Sequence, residues 1–111
     1  MLYDLNPRSG VNVVEDIRGP KTTTTVSATA TASVILPANS NRAVYSIYNA
    51  GNTTVFLREG STVSSTVFEV PLHPGFMWKE DFSNSPRYLG AISGITATGT
   101  SSLLVSEAVL N

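Results

Sequence analysis

A chain of 111 residues, 41% of them hydrophobic, suits one domain with one core and leaves no room for a second. It holds no cysteine, which excludes a disulfide framework and a thiolate metal site. A formal charge of −1, with only 14% charged residues and the seven Lys and Arg scattered, argues against a phosphate-tracking nucleic-acid surface.

Residues 1–21 read as an extended arm, because Asn6-Pro7, Ser9-Gly10 and Gly19-Pro20 break any regular element before it grows. Its apolar residues are Leu2, Tyr3, Leu5, Val11, Val13, Val14 and Ile17, too many for a solvated tail. Burying those side chains does not offset the cost of ordering the backbone that carries them. The arm is therefore expected to bind a partner, or a sheet edge that also supplies backbone hydrogen bonds. The first ten residues show neither a basic start nor a continuous apolar stretch, so the expectation is synthesis in a cytoplasm without a secretory signal. Apolar runs as short as Val34-Ile35-Leu36 predict no spanning helix and no membrane partner.

Residues 22–111 form the predicted domain. From Thr22 to Leu36, Val26, Ala28, Ala30, Ala32, Val34 and Leu36 alternate with Ser and Thr, and period two means strand. The run is too long for one strand, so a bend is expected near Ala28 to Ala32, where the chain crosses between sheets. A turn at Pro37 to Asn41 leads into NRAVYSIYNAGNTTVFLREG, the clearest signal in the chain. It predicts a hairpin over Asn41 to Gly60, with Asn and Gly of Asn49-Ala50-Gly51-Asn52 supplying positive φ and Tyr45, Ile47, Val55 and Leu57 supplying core.

Further strands are predicted over Thr66–Val70 with Phe68 and Val70 facing in, Phe76–Asp81, Arg87–Ile92, Ile95–Thr98 and Leu103–Val109. Pro74-Gly75 favours a type II turn. No segment has helical periodicity. About eight antiparallel strands with frequent turns predict an all-β fold, a single β-sandwich or jelly-roll-like domain carrying an N-terminal arm.

Chemistry is thinly marked. His73, the one histidine, sits in a Pro-rich turn with no nucleophile motif near any serine, and reads as a loop residue. Glu80 and Asp81 point to opposite faces of a strand and share neither proton nor metal. An acid pair would have to come from separate strands, such as Glu69 and Glu80. Trp78, Tyr45, Tyr48 and Tyr88 suit a sugar-stacking platform or, more commonly, core. Asn52-Thr53-Thr54 matches a glycosylation sequon. The expectation is no enzyme, no catalytic residue, no cofactor and no metal.

Within Thr25 to Gly75, the alternating Ser/Thr/Ala strand is followed by Leu36-Pro37-Ala38-Asn39 and Asn41-Arg42. Then come Ile47-Tyr48-Asn49-Ala50-Gly51, Thr54-Val55-Phe56-Leu57, and Leu72 with Pro74-Gly75. This half of the chain resembles the capsid decoration, or cement, proteins of tailed bacteriophages. The resemblance implies a non-enzymatic virion protein at the capsid surface that bridges subunits of the major capsid protein, itself a homo-oligomer with a trimer favoured. The alternatives are a head–tail, tail or fibre-associated structural protein, or a jelly-roll carbohydrate- or receptor-binding module.

Overall fold

The computed structural model describes residues 18–82 and 86–110. The predicted partner-binding residues Leu2, Tyr3, Leu5, Val11, Val13, Val14 and Ile17 lie outside them. At the end of the predicted arm, Arg18 bridges to Leu110 and the Gly19 N–H donates to the Val109 carbonyl.

Eight strands, and no helix among the described residues, make up the domain: β1 (Thr22–Ala28), β2 (Ser33–Leu36), β3 (Arg42–Asn49), β4 (Val55–Glu59), β5 (Val70–Leu72), β6 (Met77–Glu80), β7 (Ile92–Thr96) and β8 (Ser101–Val109). They form two four-stranded sheets, ordered β1-β8-β3-β6 and β2-β7-β4-β5, with every pairing antiparallel. The partners nest as 1 with 8, 2 with 7, 3 with 6 and 4 with 5. That is a long hairpin rolled up on itself, the jelly-roll order.

The expected bend between β1 and β2 is present. Thr29 accepts a backbone bond from Thr96 at 2.8 Å, and the chain passes from the edge of one sheet to the edge of the other. The register shifts between Val34 and Leu36, which turns both Ile35 and Leu36 inward and leaves Val34 exposed.

The expected hairpin at Asn41 to Gly60 is not one. β3 belongs to the first sheet and β4 to the second, so Asn49 to Thr54 is an arch over the core. Turn residues mark a reversal without saying in which plane it occurs. Nor is Gly51 among the glycines with positive φ, which are Gly60, Gly75 and Gly99; Phe82 is the one other described residue there. Gly51 serves close approach instead. A Cβ on it would stand 2.8 Å from the Ser102 nitrogen and 2.9 Å from the Ser101 Cα. The hairpin at the tip of the roll is β4–β5, whose loop tucks Val63 inward.

Tyr45, Ile47, Val55 and Leu57 are fully buried and make the core with Ile35, Leu36, Leu72, Ile92, Leu103 and Val105. The Pro74-Gly75 turn is of the expected kind: Gly75 has φ 82° and Phe76 N–H donates to the His73 carbonyl at 3.0 Å. Three predicted strands differ, of which the one expected over Ile95–Thr98 is displaced to β7, Ile92–Thr96. Residues 66–69 run into β5 outside any strand, held by the Glu69 N–H donating to the Leu57 carbonyl at 2.8 Å, with Phe68 outside and tilted against Phe56 at 4.8 Å, and residues 87–91 form a loop that leads into β7.

Candidate functional site

The polar groups with unusual surroundings gather at the end of the sandwich where β3 begins and β4 and β6 end. Arg42 opens β3, and its guanidinium is buried completely. Its Nε donates to Glu107 Oε2 at 2.7 Å, its Nη1 to the carbonyls of Tyr88 (3.0 Å) and Gly90 (2.8 Å), and its Nη2 to the Pro37 carbonyl. Asn39 Nδ2 also reaches Glu107, at 3.4 Å. A buried charge persists only when paired and fully bonded. Here one side chain ties together β3, β8, the turn after β2 and the loop before β7.

Beside it lies a cleft of about 410 Å³ lined by Glu59, Glu80, Phe82, Pro86, Arg87 and Tyr88. Tyr45 is buried in the core next to two of these residues, bonded to Glu59 and tilted against Phe82 at 5.8 Å, with Trp78 edge-on at 5.6 Å. The Tyr45 hydroxyl donates to Glu59 Oε2 at 3.0 Å. Burial, then the charges of Glu59 and Glu80, holds the Tyr45 phenol far above its ordinary value. Burial likewise raises Glu59 above the usual carboxylate range, and the bond from Tyr45 pulls partly the other way.

A raised carboxyl beside a phenol is the kind of group that moves protons. Two donors around this cleft are tied to the fold, however. Arg87 Nη1 donates to the Arg42 carbonyl, and Tyr88 O–H donates to the Ala91 carbonyl at 2.6 Å. Glu59 and Glu80 add carboxyl acceptors to the same lining as the Arg87 guanidinium. The other acid weighed from sequence, Glu69, is exposed and spends Oε1 on the Glu59 N–H at 2.8 Å. Among the described residues no three His, Asp or Glu side chains group as metal ligands.

His73 is an exposed loop residue whose Nδ1 meets Thr54 Oγ1 at 3.0 Å and whose ring meets Phe76 edge-on at 5.8 Å. The four aromatics considered as a sugar platform do not share a face. Tyr45 and Trp78 pack inward and Tyr88 lines the cleft, while Tyr48 alternates outward on β3. At the opposite end of the sandwich, Asn49 is buried in the arch. Its Nδ2 donates to the carbonyls of Thr53 and Leu72, both at 2.8 Å, and its Oδ1 accepts from Gly51 N–H (3.0 Å) and Ser101 Oγ (2.7 Å).

A second surface stands out on the outer face of the first sheet. Leu104, Tyr48 and Met77 lie directly opposite one another across β8, β3 and β6, and Thr25 of β1 completes the row. Met77 is 56% exposed, and neighbouring Phe76 is 60% exposed. Sequence reading missed this row, because it appears only once the register of four strands is known.

No family model matches the chain, and no curated protein matches it. Among solved structures, the chain is similar to one from work on Bacillus titled "Bacillus endospore appendages form a novel family of disulfide-linked pili". The two are 15% identical with a TM-score of 0.48, over 92% of this chain and 97% of that chain.

Proposed function

We propose that this chain is a non-enzymatic structural protein that binds the outside of a tailed-phage capsid and stabilises it by bridging subunits of the major capsid protein. The supporting observation is the row in which exposed Leu104 and Met77 flank half-buried Tyr48, with exposed Phe76 next to Met77. Contiguous apolar side chains left in water on a sheet face mark a contact surface more than a reaction site. The strongest polar constellations, around Arg42 and Asn49, are occupied in holding strands and turns together. The apolar arm adds a second grip, of the kind that runs over a neighbouring subunit.

Purified protein is expected to rebind capsids from which it is missing. The double variant Phe76→Asp with Met77→Asp should fold, since both side chains are exposed, and should lose most of that binding. Removing residues 1–17 should weaken it as well. Unchanged capsid binding in both variants would sink the reading.

Half-buried Tyr48 and exposed Phe76, with His73 against the Phe76 ring, favour one second reading, a module that stacks on sugar rings of a host surface. A glycan array probed with the native protein and the Phe76→Asp variant distinguishes the two.

A further inference from the structure

The two sheets present four edges, with β1 lying against β2 on one side of the sandwich and β5 against β6 on the other. Proteins guard exposed edges with prolines, charges, bulges or shortness, because an open row of N–H and C=O groups invites another strand. Three of these edges are guarded. β5 has three residues with Pro71 in the middle, β6 carries Lys79 and Glu80, and β2 has four residues broken by the register shift at Val34/Leu36.

β1 has none of these devices. It runs seven residues, Thr22 to Ala28, in unbroken register with β8, without proline, glycine or charge. The whole flank is equally bare. From Thr22 to Asn41, through both edge strands, the corner and the following turn, there is no charged residue and no histidine, and all seven basic and eight acidic residues lie elsewhere. Val34 of β2 adds an apolar side chain, 51% exposed, to the same flank.

We infer that β1 pairs antiparallel with β1 of a second copy of this chain across a two-fold axis, joining the first sheets of both into one continuous eight-stranded sheet. A second copy is the occupant because the flank is its own complement. It brings no charge to desolvate and no like charges to oppose, and a two-fold axis sets a strand antiparallel to itself, the geometry in which β1 already meets β8. Of the described edges, a second β1 is also the one that matches its length without a break. This interface is independent of whether the chain sits on a capsid, and a two-fold dimer differs from the trimer that the resemblance implies.

The absence of cysteine among the 111 residues supplies a clean test on this chain. Residues directly opposite in an antiparallel ladder have Cα atoms about 4.5–5.5 Å apart, within the roughly 4.4–6.8 Å that a disulfide spans. Single cysteines placed in turn at Thr24, Thr25 and Val26 are expected to give a disulfide-linked dimer with high yield at the position on the axis. Lys79→Cys on the opposite edge should give no disulfide-linked dimer. In light scattering the native protein should have the mass of a dimer. Thr25→Lys and Thr25→Glu should each shift it to monomer, and mixing the two variants should restore a dimer. A native protein that is monomeric or trimeric by mass would overturn the inference. So would a dimer that survives Thr25→Lys, or crosslinking as efficient at position 79 as within β1.

Discussion

Arg42 and Glu107 meet at 2.7 Å across β3 and β8, and the two ends of that contact are unequal: the arginine side chain is wholly buried, the glutamate 19% exposed. The arginine also carries three backbone carbonyls, so its charge is spread over four acceptors and Glu107 supplies the compensating charge. Removing the arginine strands those acceptors; removing the glutamate strands a cation.

Both changes should destabilise the fold, by different amounts. Arg42→Met is expected to cost about 3–5 kcal/mol, the range for breaking a buried pair. Glu107→Gln keeps an acceptor near Nε and should cost about 1.5–3 kcal/mol, the worth of a hydrogen bond to a charged group. Urea unfolding of the two variants gives the order directly.

The arch should be as sensitive as the core. Asn49→Ala leaves the Thr53 and Leu72 carbonyls and the Gly51 N–H without their partner, and an unsatisfied buried group costs about 1–3 kcal/mol. Gly51→Ala should cost a further separate amount, about 1–3 kcal/mol for overpacking against the backbone of Ser101 and Ser102. Gly60→Ala, where φ is 114° but space is open, tests strain without crowding.

Glu59 gives the stability a pH dependence of known sign. Its folded-state pKa is raised, chiefly by burial, so the folded protein holds that proton more tightly than the unfolded chain. Its favourable contribution is complete below the ordinary carboxylate value and is lost as pH rises through the raised one. Relative to Glu59→Gln, the native protein should therefore lose stability as pH is raised from the ordinary carboxylate range toward neutrality. Thermal melts of the two proteins across that range check it; parallel curves would show that Glu59 does not titrate differently on folding.

Tyr45 predicts the alkaline behaviour. Its phenol is held well above the ordinary tyrosine value by burial and by Glu59 and Glu80. Tyr45 should fail to ionise in ultraviolet titration until the protein unfolds, and Tyr45→Phe should remove that step.

Much of the architecture was legible in the sequence. The alternation from Thr22 to Leu36, the turn residues and the absence of helical period gave the strands, and Tyr45, Ile47, Val55 and Leu57 are core as their spacing implied. The β3–β4 connection was misread because Asn and Gly favour a hairpin and an arch alike, and only the pairing of β3 with β8, far along the chain, decides between them. The Arg42 network was invisible for a related reason. An arginine at the start of an apolar strand looks like a solvated edge residue until the carbonyls of Pro37, Tyr88 and Gly90 converge on it. Its partner Glu107 belongs to the last strand, and a local pattern carries no information about so distant a neighbour.

The nested pairing of the roll also orders events in time. Thr22 bonds to Glu107 across 85 residues of sequence, so β1 meets β8, its ladder partner among the described residues, only after the intervening strands have been made. Topologies dominated by such distant contacts fold slowly, and strands left waiting are where nascent chains find each other. Since β1 also carries no charge and no proline, the rate at which β8 closes over it should set how much of the newly made protein reaches the native roll. Refolding yield is accordingly expected to fall with protein concentration, and to recover when Thr25 is replaced by lysine.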